Sequence, residues 1–276
     1  MTVWALAKLG VSDKLVFAAL VAQGMRKDLT DFNPQDVANT VWAFATANMA
    51  DAGLFARLAS EITRRRSLDD FTPQELANTV WAFAIADEHV IVSLIIDHIL
   101  ALSEGPSAPS WSIEHISQLH QAVLESSAAW HAHLSSSRAG VVEEWRQARC
   151  LRALKTSEPS QLQRQVYRAL RELEVEFTEE FIVSELGYSV DARLLLGTDR
   201  KVVLEVYGPS QCDFLEACVI RDLAKPSGLR ETGATFLKHR QLKRAGWTVV
   251  QVPYWEWNAL TRAQQAPYLR DKLALL

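Results

Sequence analysis

The order of apolar and polar positions repeats along the first half of the chain. Residues 31–45 read DFNPQDVANTVWAFA and residues 70–84 read DFTPQELANTVWAFA, with an offset of 39 residues throughout. Residues 2–7 match the core of the same unit 38 residues earlier, and a weaker copy begins at Trp111 with an offset of 40. A period of this length is typical of stacked helical arrays. The pattern therefore predicts an all-α helical-repeat array over residues 1–135.

Each repeat is predicted to fold as two helices. The first helix starts at Asn33 or Thr72, whose side chains can cap free amide groups, and a proline follows at the first helical position. Apolar side chains then recur every three or four residues, which gives one buried stripe. The second helix is predicted over residues 52–64 in one repeat and 88–102 in the next.

Two pairs of side chains recur at matching positions of the first helix. Trp42 and Trp81 are expected to pack between repeats, with the stacking of a ligand as the alternative. Asn39 and Asn78 either bond the backbone of a neighbouring repeat or line a groove that contacts RNA bases, as in helical-repeat RNA-binding proteins. The sequence leaves both alternatives open.

Net charge limits how this chain can bind a polyanion. The whole chain carries −4 at pH 7; residues 1–157 have 13 basic and 17 acidic side chains, and residues 158–276 have 16 of each. Neither half is basic, so nucleic-acid binding would depend on local patches of cations. One patch at the end of a repeat's second helix either complements the helix dipole or contacts phosphate: Arg64, Arg65 and Arg66.

The composition argues against several classes of protein. No apolar run approaches the ~20 residues that a membrane helix needs, so no membrane partner is expected. The three cysteines are too few for a disulfide framework and form no C-x-x-C pair, so we expect neither a disulfide-linked partner nor zinc. Residues 136–157 are predicted to form a linker and a connecting helix.

The pattern changes at residue 158. The predicted elements that follow are a helix up to Leu173, strands at 181–186, 190–196 and 201–206, a helix over 232–245, a strand over 247–252 and a final helix over 261–275. The run at 201–206 is nearly all apolar, which predicts a central strand covered on both faces. Residues 158–276 are thus predicted to be a small α/β domain, and the whole chain an α+β multidomain protein.

Three separated motifs in this domain resemble the RAP domain. They are LEVYGPS at 204–210, TGATFLKHR at 232–240 and GWTVVQVPYWEW at 246–257. The upstream repeats are similar to the degenerate helical repeats of octotricopeptide-type and FAST kinase-like organellar RNA-binding proteins. The resemblance implies binding of RNA, and action on organellar transcripts or ribosomal RNA in processing, stability or translation.

The RAP fold is itself similar to the core of PD-(D/E)XK nucleases, in which carboxylates hold Mg²⁺ and a lysine positions the attacking water. This resemblance assigns Asp191 and Glu205 to the catalytic and metal-binding carboxylate positions, whereas Tyr207 stands where a nuclease has lysine. Two carboxylates without that lysine make a weak metal site.

Three interpretations of these carboxylates follow. The first is a domain that binds RNA without its own catalysis and without a cofactor. The second is a metal-dependent RNA endonuclease, which would use Mg²⁺ at Asp191 and Glu205. Under the structural interpretation, Asp191 caps a strand end and Glu205 is a buried, paired carboxylate.

The densest cluster of cations in this half lies in the helix predicted over 232–245. Arg240, Lys243 and Arg244 share one helix face, and Lys238 lies at its edge. The cluster is predicted to contact phosphates of RNA, expected to be single-stranded, although solvated helix faces look similar. Because neither half is basic, a protein-interaction scaffold in a ribonucleoprotein complex is a further alternative.

The family resemblance also suggests a mitochondrial or plastid location. Met1 falls inside the first helix of a repeat whose capping half is missing, and no Arg- and Ser-rich transit peptide precedes it. The first repeat is therefore expected to be incomplete, and the organelle is expected from the resemblance rather than from this chain.

Overall fold

A computed structural model of the chain describes residues 2–10, 13–26, 28–65, 67–105, 108–154, 158–197, 200–208 and 231–274. The chain divides into two compact units, residues 1–149 with 232–237 and residues 150–231 with 238–276. Among the described helices, none is long and apolar enough to cross a membrane.

The described residues between 2 and 153 form helices joined by turns, which confirms the all-α character predicted for residues 1–135. The elements are α1 (Thr2–Lys8), α2 (Lys14–Arg26), a 3-10 turn (Leu29–Asp31), α3 (Pro34–Thr46), α4 (Ala52–Arg64), α5 (Pro73–Ile85), α6 (His89–Glu104), α7 (Ile113–Val123), α8 (Ala128–Ala132) and α9 (Ser136–Ala153). The first helices of successive repeats pack side by side, α1 on α3, α3 on α5 and α5 on α7.

Side-chain caps fix where the first helices begin. Asn33 Oδ1 accepts a hydrogen bond from the Asp36 amide at 2.8 Å, and Asp36 Oδ2 accepts one from the Asn33 amide at 3.2 Å. Thr72 and Glu75 form the same reciprocal capping box. The predicted helix starts are confirmed, because each cap satisfies amides that the first turn leaves without a partner.

Aromatic side chains connect the cores of successive repeats. Phe17 meets Phe44 edge to face with 5.2 Å between ring centroids, and Phe55 meets Phe83 in the same way at 5.4 Å. All four rings are almost completely buried. The array core is therefore continuous across repeats, which is how stacked repeats gain stability.

The described residues between 158 and 274 form helices and one small β-sheet. Its elements are α10 (Gln161–Glu172), β1 (Phe177–Val183), β2 (Tyr188–Leu194), β3 (Val202–Tyr207), α11 (Gly233–Arg244), β4 (Thr248–Pro253), α12 (Tyr254–Asn258) and α13 (Arg262–Ala274). The strands form one sheet in the order β1-β2-β3-β4, with β3 and β4 parallel and the other pairs antiparallel. All six residues of β3 are buried, as predicted for a central strand.

Some elements differ from their sequence-based prediction. Strand β1 begins at Phe177 rather than at residue 181, because it is an edge strand whose first residues are mostly exposed and polar. The short helix α12 follows Pro253 where no element was predicted. The likeness of the sheet to a nuclease core stays a prediction, and residues 209–230 lie outside the described part of the chain.

Candidate functional site

A row of polar side chains crosses the sheet. In the register of β1 against β2, Glu179 pairs with Ala192 and Phe181 pairs with Val190. Glu180 therefore lies opposite Asp191, between these two pairs. Pairing of β2 with β3 stops at Ala192 and Leu204, so Asp191 and Glu205 are the next residue on each strand, and β4 pairs Glu205 with Gln251. The carboxylate members of the row are Glu180, Asp191 and Glu205. Ionised carboxylates on neighbouring strands repel one another, so this row needs protons, hydrogen bonds or a cation.

Asp191 lies where β2 and β3 separate, a point we call the strand fork. Pairing of the two strands ends at Ala192 and Leu204. Asp191 Oδ2 then accepts a hydrogen bond from the backbone amide of Val206 at 2.5 Å, and Oδ1 accepts one from the Gln163 amide at 2.6 Å. Burial raises the pKa of Asp191, while the Val206 hydrogen bond and the Lys238 charge oppose this. The Asp191 carboxylate thus accepts the hydrogen bond of a β3 amide at a point where β2 and β3 are no longer paired.

Glu205 is a buried carboxylate with a lysine beside it. Its side chain is 3% exposed, and its Oε1 lies 2.6 Å from Nζ of Lys238, which reaches it from α11. Burial raises the pKa of Glu205 to about 7, and the charge of Lys238 opposes that rise. A cation does reach this carboxylate, but it comes from a helix rather than from the strand position of Tyr207.

The third carboxylate of the row belongs to Glu180, on the edge strand. The Tyr167 hydroxyl lies 2.8 Å from the backbone oxygen of Asp191 and 3.4 Å from Oε1 of Glu180, and so links the two strands. Burial is the largest cause that raises the pKa of Glu180, and Asp191 adds to it. No motif marks this residue, and only the strand register reveals it.

Tyr207 belongs to a second polar cluster beside the row. Its hydroxyl lies 2.6 Å from Nε2 of His239, while Nδ1 of His239 is 3.3 Å from Oε2 of Glu231. The Gln251 amide donates to Glu231 Oε1 at 3.0 Å. Burial is the main cause that lowers the pKa of His239 to about 4, so its ring is neutral at pH 7. Neither the neutral imidazole of His239 nor the hydroxyl of Tyr207 therefore adds a positive charge to the site.

The cations predicted on α11 lie in different environments. Lys238 is only 19% exposed and is committed to Glu205. Arg240 is half-buried and has interactions of its own. Lys243 and Arg244 are exposed in the last turn of the helix. The solvent-facing part of the predicted patch is therefore its C-terminal end.

The predicted cations at the end of α4 contact their own repeats. Arg64 forms an ion pair with Glu61 one turn earlier. Arg65 donates to the backbone oxygen of Phe32 and is 18% exposed. Arg66 lies outside the described residues.

The recurring asparagine and tryptophan bond to the next repeat at α5. Asn78 Oδ1 accepts from the Gln118 amide at 3.0 Å, and Trp81 Nε1 donates to Gln121 Oε1 at 2.8 Å. The partner of Asn78 is thus a side chain rather than the predicted backbone group. Trp81 is 6% exposed, which fits packing between repeats.

Most of the oxygens of the fork carboxylates contact protein groups, namely both oxygens of Asp191 and Oε1 of Glu205. A divalent cation at Oε1 of Glu205 would compete with the ammonium of Lys238 for that oxygen. Three ligand atoms within 4.8 Å of one another occur elsewhere in the described chain, at Asp87, His89 and Glu125.

Comparison with known proteins bears on the same region. Residues 204–272 match the family model of the RAP domain, a stretch that includes Glu205, Lys238 and all of α11. A chloroplastic RAP domain-containing protein of Oryza sativa subsp. japonica is 33% identical over 112 residues, which cover 40% of this chain and 15% of the rice protein. The chain thus contains, as its three motifs indicate, a RAP domain at residues 204–272.

Proposed function

We propose that this protein is an RNA-binding factor that acts on organellar transcripts or ribosomal RNA, in their processing, stability or translation. The RAP domain at residues 204–272 is the observation that carries the proposal. The repeat array and the RAP domain both contact the RNA, which is single-stranded. The rice relative is described as chloroplastic, which supports a plastid over a mitochondrial location.

The proposal includes no cleavage by the RAP domain itself. In metal-dependent nucleases, carboxylate oxygens are free to bind the ion and a lysine is free to position water. Here the ammonium of Lys238 is 2.6 Å from Glu205, and both Asp191 oxygens accept hydrogen bonds from protein groups. These contacts favour a structural role for the strand fork.

A metal-dependent RNA endonuclease is the second candidate. It is favoured by the row of carboxylates across the sheet and by the lysine that touches one of them. Under this alternative, Asp191 and Glu205 would hold Mg²⁺. A protein-interaction scaffold is the third candidate, because neither half of the chain is basic.

Incubation of the full chain with end-labelled single-stranded RNA and Mg²⁺ or Mn²⁺ is expected to leave the RNA intact, because the fork carboxylates are already engaged. Gel electrophoresis of the RNA over time makes the measurement. The matched variants are Asp191→Asn and Glu205→Gln, which keep the side-chain shapes. Cleavage by the wild type that disappears in both variants would establish the endonuclease instead.

Phosphate contacts at the end of α11 are expected to appear in the salt dependence of RNA binding. Each contact with a single strand contributes ~0.7 to the slope of log affinity against log salt. The double variant Lys243→Ala/Arg244→Ala should therefore lower the slope by up to about 1.4. Affinity should fall about equally for unrelated sequences, because phosphate contacts do not specify bases.

The matched control is Arg168→Ala/Arg270→Ala, which removes the same charge at two exposed positions of α10 and α13. Fluorescence anisotropy across a salt series measures the slope, and circular dichroism checks the fold of each variant. If both double variants leave the wild-type slope unchanged, α11 does not face the RNA. A chain without salt-dependent RNA binding would favour the scaffold.

A further inference from the structure

We propose that Trp4, Lys8, Asn39 and Trp42 form a binding site for one unpaired nucleotide of single-stranded RNA. The base stacks on the indole rings with its edge towards Asn39, and its phosphate pairs with Lys8. This inference rests on the proposed function and names the contact that the repeat array makes.

Two tryptophans from neighbouring repeats share one ammonium group. Nζ of Lys8 lies 5.6 Å from the ring centroid of Trp4 and 5.3 Å from that of Trp42. Trp4 is 40% exposed, and Lys8 is also exposed. Indole faces attract both cations and flat π systems, and base stacking on aromatic side chains is a general way of holding single strands. The surface thus combines a stacking platform with a charge for phosphate.

At the matching positions one repeat later, the side chains already bond to protein groups. There, Asn78 bonds Gln118 and Trp81 bonds Gln121, and Trp81 is buried. At α3, the matching side chains are half-buried and have no hydrogen bond in the part of the chain that the structure describes: Asn39 and Trp42. Asn78 and Trp81 join α5 to α7 by hydrogen bonds. The polar groups of the matching Asn39 and Trp42 in α3 are therefore available to bond a ligand.

The positions of the free amide and the ring suit a nucleotide. Asn39 precedes Trp42 by three residues in α3, so both lie on one face of the helix. An amide beside a stacking ring can hydrogen-bond the edge of an unpaired base, because it offers both a donor and an acceptor.

Nearby charges give the nucleotide a direction. Asn39 also lines a cavity of about 560 Å³, which has the carboxylates of Asp28, Asp31 and Asp36 among its lining groups. Carboxylates repel phosphate, so the RNA backbone should run along Lys8, away from this cavity. The base would then point from Lys8 towards Asn39.

The test is anisotropy of a short fluorescein-labelled single-stranded RNA with the full chain across a salt series. Trp4→Ala is expected to weaken binding roughly 5- to 100-fold with little change in salt slope, as expected for lost base stacking. Lys8→Ala is expected to lower the slope by about 0.7. The Trp4 effect should be absent with a fully paired duplex, since its bases are not free to stack.

Two exposed neighbours serve as controls. Leu9→Ala removes an apolar side chain that is 75% exposed, and Lys14→Ala removes an exposed cation from the start of α2. Both should bind RNA like the wild type. Equal affinity of Trp4→Ala and wild type would overturn the site, whereas persistent salt-dependent binding would leave the proposed function intact. Sedimentation that changes in Trp4→Ala without a change in RNA affinity would overturn it too, by assigning this face to a protein partner.

Discussion

Replacing Trp81 with alanine is expected to lower the free energy of unfolding by about 3–5 kcal/mol, the usual cost of removing a large aromatic side chain from a core. Trp81 is 6% exposed in α5, and its Nε1 donates to Gln121 of the next repeat at 2.8 Å. The change therefore leaves a cavity and a side-chain acceptor without its donor. Urea denaturation, followed by circular dichroism, measures the loss.

Trp42→Ala is the matched variant, because it changes the same position of the preceding repeat. Trp42 is only half-buried: its ring packs against the edge of the array core and also faces the ammonium of Lys8. Its loss is expected to cost about 1 kcal/mol, within the ordinary range for single substitutions. A cost under about 1 kcal/mol for Trp81→Ala, or equal costs for both variants, would contradict this description of the array.

The repeat was predictable because its signals are local. Asn33 and Thr72 cap helices whose starts they also mark in the sequence, and both caps are present in the structure. The repeat pattern cannot show which copies form side-chain hydrogen bonds with the next repeat. Trp42 and Trp81 occupy the same position, yet only Trp81 bonds a glutamine of the next repeat, and that partner lies 40 residues away.

The fork was predictable only in part. Asp191 and Glu205 are identified by their strand positions, whereas the lysine of the site comes from α11, where it had been predicted to be part of a phosphate patch. Spacing along a helix shows which side chains share a face, but not which buried charge that face meets. Glu180 was missed for the same reason, because only the pairing of β1 with β2 brings it opposite Asp191.

Lys238→Met is expected to destabilise the chain by about 1–2 kcal/mol at pH 8, because Glu205 loses its cation and, with a wild-type pKa of about 7, must then take up a proton at a cost of ~1.4 kcal/mol per pH unit. Methionine keeps much of the apolar stem of lysine, so the change removes mainly the charge. Glu205→Gln in the same chain should recover most of the loss, since no buried charge then remains. Urea denaturation of the wild type, both single variants and the double variant measures the coupling.

The pH dependence of stability adds an independent check. Burial raises the pKa of Glu205 from 4.5 to about 7, so the folded chain holds this proton more tightly than the unfolded chain does. Stability should therefore fall as pH rises through this window, by up to about 3 kcal/mol from this group, and then level off. Glu205→Gln should flatten that part of the profile.

In Lys238→Met the pKa of Glu205 should rise further, because the opposing charge is gone. Its destabilisation relative to the wild type should therefore shrink as the pH is lowered and Glu205 takes up a proton. If Lys238→Met costs the same in the wild type and in the Glu205→Gln variant, or if its cost is independent of pH, the two side chains are not coupled. Lower RNA affinity in Lys238→Met without loss of stability would instead place Lys238 on the RNA, as the sequence alone suggests.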